Sequence, residues 1–234
     1  AGLTNIEECD VNPDLAQEVN GDLARNIAIS CSNQGVKLVH ISTDQLFLGD
    51  QEFTTENTST NPVNNYAKTK LIGDQKVLEN CKDALVIRTN FFGWGANYRQ
   101  SFSDFILNKL RNNESVDLFS DVFFTPILID NLCSKVHQLI DLKATGLFNI
   151  VSSERVSKYD FGIKLANCFN LDTSLINPIS IDDKPNLVKR PKDMSLSNTK
   201  LCQTLDCEIA SLDEQLQTLK KQESKGAASQ VILD

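Results

Sequence analysis

The sequence predicts an α/β fold with a doubly wound parallel sheet and a smaller C-terminal subdomain. Apolar, β-branched runs that are typical of buried strands alternate with longer segments of helical periodicity, at the spacing of βαβ units. The chain has 234 residues, of which 41% are hydrophobic and 23% are charged, which is ordinary for a globular protein. That length allows one large domain or two small ones, with a substantial core.

The predicted elements follow from periodicity and from residues that start or stop helices. Asn12-Pro13 places a cap and a proline at the start of the first helix, and Gly35 ends it. The apolar run after Gly35 predicts a strand buried on both faces. Ser157 is the candidate N-cap of a later helix. In chain order we predict helix 12–34, strand 36–42, loop 45–62, helix 63–80, strand 84–88, an aromatic turn 91–95, helix 102–110, strand 116–119, helix 128–142, strand 146–151, helix 157–169, an irregular stretch 177–197 and helix 211–221.

Charge and composition narrow the class of protein. The net charge of -8 argues against a nucleic-acid partner, which calls for a basic face. Seven cysteines without a C-x-x-C pair, and only two histidines, predict neither a disulfide framework nor a metal site. No apolar run reaches the length of a membrane span and no signal peptide is visible, so we expect no membrane partner and a cytoplasmic location.

Two short patterns suggest chemistry at the end of the first predicted strand. Ser42-Thr43-Asp44 follows that strand, where ligands bind in doubly wound sheets. Tyr66 and Lys70 are four residues apart on the next predicted helix, so they share one face. Each pattern alone is common, because Tyr-x-x-x-Lys recurs by chance and Ser-Thr-Asp often forms only a capped turn. Their combination, in this order, is far more specific.

The chemistry that this combination fits is the reduction of a ketone. Hydride arriving at the carbonyl carbon puts negative charge on the oxygen, which must then receive a proton. A phenol with a pKa of about 10 donates poorly at neutral pH. We expect the Lys70 ammonium to lower the pKa of Tyr66 and Thr43 to hold the ketone oxygen in line.

Longer segments resemble the dTDP-4-dehydrorhamnose reductase family, which are extended short-chain dehydrogenases. Segment 39–49, Val-His-Ile-Ser-Thr-Asp-Gln-Leu-Phe-Leu-Gly, resembles the family's Ser-Thr-Asp-x-Val-Phe-x-Gly. Segment 61–71 resembles its Pro-x-x-x-Tyr-Gly-x-Thr-Lys-Leu. Further matches, which carry the resemblance to about residue 220, are residues 1–9, Arg88-Thr89, Asp121 to Pro126, Gly146 to Asn149, and Arg190-Pro191 with Ser195-Leu196.

The resemblance implies an NAD(P)-binding Rossmann-like domain that reduces a 4-keto group on a nucleotide-linked deoxysugar with NADPH or NADH. It implies a nucleotide-sugar substrate and makes a homodimer a candidate assembly. Arg190 also has an independent physical case, because a planar guanidinium suits a diphosphate, although a solvated surface arginine is as good an explanation. By resemblance the catalytic residues are Thr43, Tyr66 and Lys70; the cofactor side has Ser42, Tyr66, Lys70 and Asn90; the substrate side has Thr43, Asp44, Phe91, Thr125 and Arg190.

The domains that the resemblance implies are a remainder of the Rossmann-like domain at residues 1–151, a substrate-binding subdomain at 152–221 and a tail at 222–234. Residues 91–126 are expected to contribute to the substrate cleft. Trp94 can stack a base or a sugar there, but a core or lid position is the simpler interpretation.

The sequence departs from the family pattern at its beginning. The family opens with a strand, a Gly-rich turn and a helix whose N-terminus holds the cofactor diphosphate, and no G-x-x-G-x-x-G occurs here. We therefore expect an N-terminally incomplete sheet and a fragment of a longer reductase. Gln45, Leu46 and Leu48 also depart from the family's usual residues, which leaves the particular sugar open.

Two other functions on the same fold remain open. One is a non-catalytic regulatory subunit similar to the beta subunit of methionine adenosyltransferase, which matches the Tyr66 and Arg190 segments about as well. Ser-Thr-Asp slightly favours the reductase. The other is a nucleotide-sugar epimerase or dehydratase. Dehydratases place an acidic pair after the threonine, whereas Asp44 is followed by Gln45.

Overall fold

The computed structural model describes residues 2–96 and 100–224. Its helices are α1 (Ile6–Val11), α2 (Pro13–Gln17), α3 (Leu23–Gln34), α4 (Asn65–Asn80), α5 (Phe102–Arg111), α6 (Ile129–Asp141), α7 (Lys158–Phe169), α8 (Thr199–Leu205) and α9 (Leu212–Ser224). A π-helical turn, Glu18–Asp22, joins α2 to α3, and two 3-10 turns lie at Thr173–Leu175 and Ile181–Asp183. Its strands are β1 (Val39–Ile41), β2 (Leu85–Arg88), β3 (Phe91–Phe92), β4 (Val116–Phe119), β5 (Phe123–Phe124), β6 (Ile127–Leu128), β7 (Gly146–Asn149), β8 (Val156–Ser157) and β9 (Ile176–Ile179).

A parallel sheet with helices on both faces forms the first layer of the fold. Its strands run in the order β1-β2-β7, with His40 beside Val86 and Val86 beside Leu147. Val86 faces α3 and α4, whereas Leu85 and Ile87 face α6 and α8. β2 is thus buried on both faces, as expected for a strand between two helical layers. This arrangement confirms the predicted doubly wound α/β class.

A second cluster lies over the carboxyl ends of these strands. α5, α7 and α9 pack around Phe161, whose ring contacts those of Phe92, Phe102 and Phe124 at centroid distances of 5.3, 5.7 and 5.6 Å. β4 pairs in parallel with β9, and β5 pairs antiparallel with β8. The cluster joins chain segments on both sides of residue 151, and the domain boundary predicted there stays a prediction.

The first predicted helix is wrong in its bounds. Residues 12–34 contain α2, the π-helical turn and α3 instead of one helix, and α1 lies before them. α1 begins early because the Asn5 side chain caps it, accepting a hydrogen bond from the Glu8 amide. The wider π turn directs Asn20 inward, where its amide binds the Leu3 carbonyl and the Thr69 hydroxyl.

The strand predicted over residues 36–42 is shorter and less buried than expected. β1 spans three residues, and Ile41 is 40% exposed. The reason is its position, because β1 lies at the edge of the sheet and pairs with β2 alone among the described strands. An edge strand keeps its apolar composition while losing cover on one side.

The remaining differences concern short elements. Residues 91–95 do not form only a turn, because β3 pairs with β6. The stretch 177–197 contains most of β9, and α8 was not predicted. α9 extends to Ser224, beyond the predicted end at 221, and the rest of the predicted tail, 225–234, lies outside the described residues. Within the described ranges, no helix is both long and apolar enough to cross a membrane.

Candidate active site

Helix α4 starts beside the end of β1, and two hydrogen bonds of the Asn64 side chain fix its first turn. The Asn64 side chain caps the helix by accepting from the Ala67 amide at 2.8 Å, and it donates to the Lys189 carbonyl at 2.9 Å. Tyr66, Lys70 and a further residue, Asp74, follow at intervals of four on one buried face of α4. This face points toward the residues that follow β1.

The structure brings Tyr66 and Thr43 together, as the sequence predicts. Both are buried, and the Thr43 hydroxyl forms a hydrogen bond with the Tyr66 side chain. Burial nevertheless raises the pKa of Tyr66 to about 12, the Thr43 hydrogen bond acts in the opposite direction, and Asp44 adds to the rise. The expectation that the pKa of Tyr66 lies below its usual value is therefore wrong in this structure, because desolvation of the phenolate dominates.

The Lys70 side chain is hydrogen-bonded to strand β1 and is not directed only at Tyr66. Its Nζ donates to the Ile41 carbonyl at 2.7 Å. Burial lowers the pKa of Lys70, and the charge of Asp74 acts against that shift. Lys70 also lines a groove of about 220 Å³ with Asn20, Leu23 and His40, on the open side of β1.

Asp74 is a buried residue of this face that the sequence interpretation missed. Its Oδ2 lies 3.4 Å from Nε of Arg88, and its Oδ1 lies 3.5 Å from Nε2 of His40. Asp74 therefore links α4 to both β1 and β2 beneath Lys70. Its position four residues after Lys70 was the available signal, because an acid on a buried helical face requires a partner.

Asp44 and Asn90 form a polar contact at the carboxyl ends of β1 and β2. Asn90 Nδ2 donates to Asp44 Oδ2 at 2.6 Å, and the Thr43 hydroxyl lies 3.3 Å from Asp44 Oδ1. Burial raises the pKa of Asp44, whereas Lys158, Asn90 and Thr43 act to lower it. Beside them, the Ser42 hydroxyl is buried and has no hydrogen-bond partner among the described residues, so it can accept a ligand.

A cavity of about 410 Å³ opens between this polar cluster and the second layer of the fold. Arg190 enters it from the segment after β9, paired with Glu7 of α1, and its Nε is buried without a partner among the described residues. Lys158, which the sequence interpretation missed, enters from the start of α7. The residues that matter most for its chemistry are Gln45, Asn90, Phe102, Lys158, Arg190 and Met194.

Three other predicted residues lie elsewhere. Phe91 is 51% exposed and lines a neighbouring cavity with Trp94. Thr125 is buried, and its hydroxyl accepts a hydrogen bond from the Leu196 amide at 3.1 Å. Trp94 donates from Nε1 to the Leu219 carbonyl and packs edge-on against Phe169, which favours the core interpretation. Within residues 2–96 and 100–224, no group of three or more His, Cys, Asp or Glu could hold a metal ion.

Comparison with known proteins assigns the chain to a family. The family model described as "RmlD substrate binding domain" matches residues 1–224. The chain belongs to this RmlD substrate binding domain family. Membership confirms the resemblance that the Thr43, Tyr66 and Arg190 segments indicate. The roles of individual residues stay predictions.

The named relatives include reductases and a subunit of a methionine adenosyltransferase. The RmlD-type chain is 28% identical to the probable low-salt glycan biosynthesis reductase Agl14 of Haloferax volcanii, over 94% of this chain and 75% of that protein. It is 30% identical to methionine adenosyltransferase 2 subunit beta of Rattus norvegicus, over 81% of this chain but only 58% of that protein. A crystal structure of dTDP-4-dehydrorhamnose reductase from Bacillus anthracis in complex with NADP superposes with a TM-score of 0.88 at 25% identity, covering 95% of this chain and 78% of that one.

Proposed function

We propose that this chain supplies the proton donor and the substrate cleft of an NAD(P)H-dependent oxidoreductase that reduces a 4-keto group on a nucleotide-linked deoxysugar. The observation that carries the proposal is the hydrogen-bonded pair of Thr43 and Tyr66, with Lys70 one helical turn away at the end of β1. The reductases among its relatives support the same reaction class.

Tyr66 is the proposed proton donor. With its pKa raised to about 12, the phenol is protonated at neutral pH but is a weaker acid than a free tyrosine. It can still donate its proton, because the alkoxide oxygen that forms as hydride arrives is more basic than a phenolate. Thr43, already bonded to that phenol, holds the same oxygen in line. The positive charge of the Lys70 ammonium stabilises the negative charge that is left on the phenol after the transfer.

The residues around Ser42 fit the polar part of a nicotinamide nucleotide. The Ser42 hydroxyl is buried without a partner among the described residues, and Lys70 uses one of its three donors on the Ile41 carbonyl. We assign Ser42, Tyr66, Lys70 and Asn90 to the cofactor side. When bound, NADPH or NADH supplies the hydride.

We assign Thr43, Asp44 and Arg190 to the substrate side. Arg190 lines the 410 Å³ cavity, whose size suits a nucleotide-linked sugar, and Asp44 is hydrogen-bonded to Asn90, which also lines it. Phe91 and Thr125 are weaker candidates because one faces a neighbouring cavity and the other is bonded to the backbone. Together with this function we propose a homodimer, a cytoplasmic location and a domain boundary at residue 151.

The deciding experiment measures oxidation of NADPH by the natural full-length protein with a dTDP-linked 4-keto-6-deoxysugar. We expect turnover in the wild type, its loss in Tyr66→Phe, and wild-type turnover in Tyr159→Phe, which removes a phenol oxygen from helix α7 instead. Equal activity of the two variants would contradict the assignment of the proton donor. No turnover in the wild type would contradict the function.

A second candidate is a non-catalytic regulatory subunit, favoured by the 30% identity with methionine adenosyltransferase 2 subunit beta. In that case the natural protein would bind a methionine adenosyltransferase catalytic subunit in a pull-down and would not oxidise NADPH. Turnover that depends on Tyr66 excludes this alternative as the sole function.

A further inference from the structure

We propose that Lys158 is an anion-binding residue of the 410 Å³ cavity and acts with Arg190 to hold the diphosphate of a nucleoside diphosphate-linked substrate. The inference rests on the proposed function and deepens it, because it names the diphosphate as the part of the substrate that this cavity binds. Neither the Tyr66 mechanism nor the interpretation of Arg190 alone requires Lys158.

The backbone of Lys158 is held firmly at the cavity wall. Ser157 caps α7 by accepting from the Asp160 amide at 2.9 Å, in a reciprocal capping box. The Lys158 amide donates to the Val122 carbonyl at 3.0 Å, and Ser157 pairs with Phe123 across β5 and β8. The side chain therefore enters the cavity from a fixed origin.

The ammonium of Lys158 rests on aromatic rings and not on a carboxylate. Its Nζ lies 3.2 Å from the ring centroid of Phe124 and 5.0 Å from that of Phe102. Among the residues that the structure describes, no hydrogen bond or ion pair within 4 Å involves this ammonium. Cation–π contacts leave its three N–H donors free to point toward a ligand.

The electrostatics of the cavity favour an anion. Burial lowers the pKa of Lys158 to about 8, Asp44 acts to raise it and Arg190 lowers it further. Two cations thus repel each other across one cavity, and an anion between them would stabilise both. Arg190 contributes a buried Nε that has no partner in the described part of the chain, although its terminal nitrogen is held by Glu7.

A structural role for Lys158 explains less of this geometry. If Lys158 served as the ion-pair partner of Asp44, the two side chains would lie within ion-pair distance of each other. Asp44 is instead hydrogen-bonded to Asn90 and Thr43. Lys164, two turns along the same helix, shows what a structural lysine looks like here, because it is paired with Asp213 at 2.8 Å and with Glu154 at 3.8 Å. Lys158 is buried and, among the described residues, has no such carboxylate partner, as expected for a group that binds a ligand.

The test is calorimetric titration of the full 234-residue chain with thymidine diphosphate and, separately, with thymidine. Lys158→Met keeps the aliphatic contact with Phe124 and removes the charge. We expect it to weaken thymidine diphosphate binding about ten-fold or more, as for loss of one charge-assisted hydrogen bond, and to leave thymidine binding unchanged. Lys164→Met is the matched control and should bind both as the wild type does.

Several outcomes would overturn the inference: equal thymidine diphosphate affinity in wild type and Lys158→Met, equal losses for both ligands, or no binding by the folded wild type. A loss seen only with the complete nucleotide sugar would instead place Lys158 on the sugar and also overturn it. Failure of the proposed function is separate. A protein that binds thymidine diphosphate through Lys158 but never oxidises NADPH refutes the reductase and supports the anion site.

Discussion

Nζ of Lys70 donates a hydrogen bond of 2.7 Å to the carbonyl oxygen of Ile41, the last residue of β1. The bond fixes the lysine relative to Ser42 and Thr43, which come next in the chain. It also uses one donor of the ammonium and leaves two for other partners. The position of the proposed active site is thereby set by a strand end and not by a loop alone.

Lys70→Met should reduce NADPH-dependent turnover of the natural full-length protein by about 100-fold or more, the usual scale for groups that assist proton transfer. The free energy of unfolding should not fall, because burial already disfavours the charged form of Lys70. Steady-state kinetics and urea unfolding measure the two effects. Lys68→Met, an exposed lysine on the same helix, should leave turnover unchanged.

Asp74→Asn should lower the free energy of unfolding by about 3 kcal/mol or more, because the buried Arg88 would lose its carboxylate partner. Urea unfolding followed by circular dichroism checks this value. Glu79→Gln breaks an exposed pair with Lys76 on the same helix and should cost about 1 kcal/mol at most. Equal losses of unfolding free energy in the two variants would contradict a stabilising role of the contacts around Asp74.

Gly73→Ala should destabilise the chain by about 1–3 kcal/mol, because a Cβ at this position collides with the backbone carbonyl of Asn20. Gly21→Ala places its Cβ against the Gln17 side chain, which can move aside. The second substitution should therefore be neutral or gain up to about 1 kcal/mol of helix propensity. Thermal unfolding of the two variants side by side distinguishes a backbone collision from a general effect of removing glycine.

Lys158→Met should raise stability at neutral pH, and the advantage should shrink as the pH rises. The pKa of Lys158 is lowered from 10.5 to about 8 by burial, so the folded state releases this proton before the unfolded state does. The penalty for the buried charge is complete below about pH 8 and is relieved between about pH 8 and 10.5. Asp44 and Arg190 are the charged groups that act on the same ammonium.

Urea midpoints of the wild type and Lys158→Met across that pH range provide the measurement. The cavity admits solvent to Lys158, so the size of the advantage will be smaller than full burial implies. A constant difference between the two proteins from neutral to alkaline pH would show that packing, and not the charge, separates them.

Regular elements were predictable wherever sequence pattern and local chemistry agreed. β2 shows an apolar run that is covered on both faces, and α7 has the serine cap and acidic third residue of a capping box. β1 also contains β-branched apolar residues, Val39 and Ile41, but its exposure depends on which strands lie beside it. The π turn at Asn20 depends on tertiary contacts with Leu3 and Thr69, which no local pattern specifies.

The candidate site was partly predictable for the same reason. Thr43, Tyr66 and Lys70 share a strand end and a helix face, so their spacing alone placed them close together. Lys158 is the first residue of α7, far from Tyr66 in the sequence, and only the folded chain brings it into the cavity that Arg190 also lines. The raised pKa of Tyr66 is likewise a property of burial, which the sequence did not specify.

Gly49 adopts a left-handed backbone with φ of 89°, and a Cβ there would lie 2.8 Å from the Cα of Pro191 and the amide nitrogen of Lys192. The loop that follows Thr43 is thus pressed against the segment that carries Arg190, and a bridge between Thr54 and Leu196 repeats the contact. The two segments thus pack against each other as one unit. If only one of them were exchanged for the corresponding segment of a relative, the other would lose the surface against which it packs, so the two segments must be exchanged together.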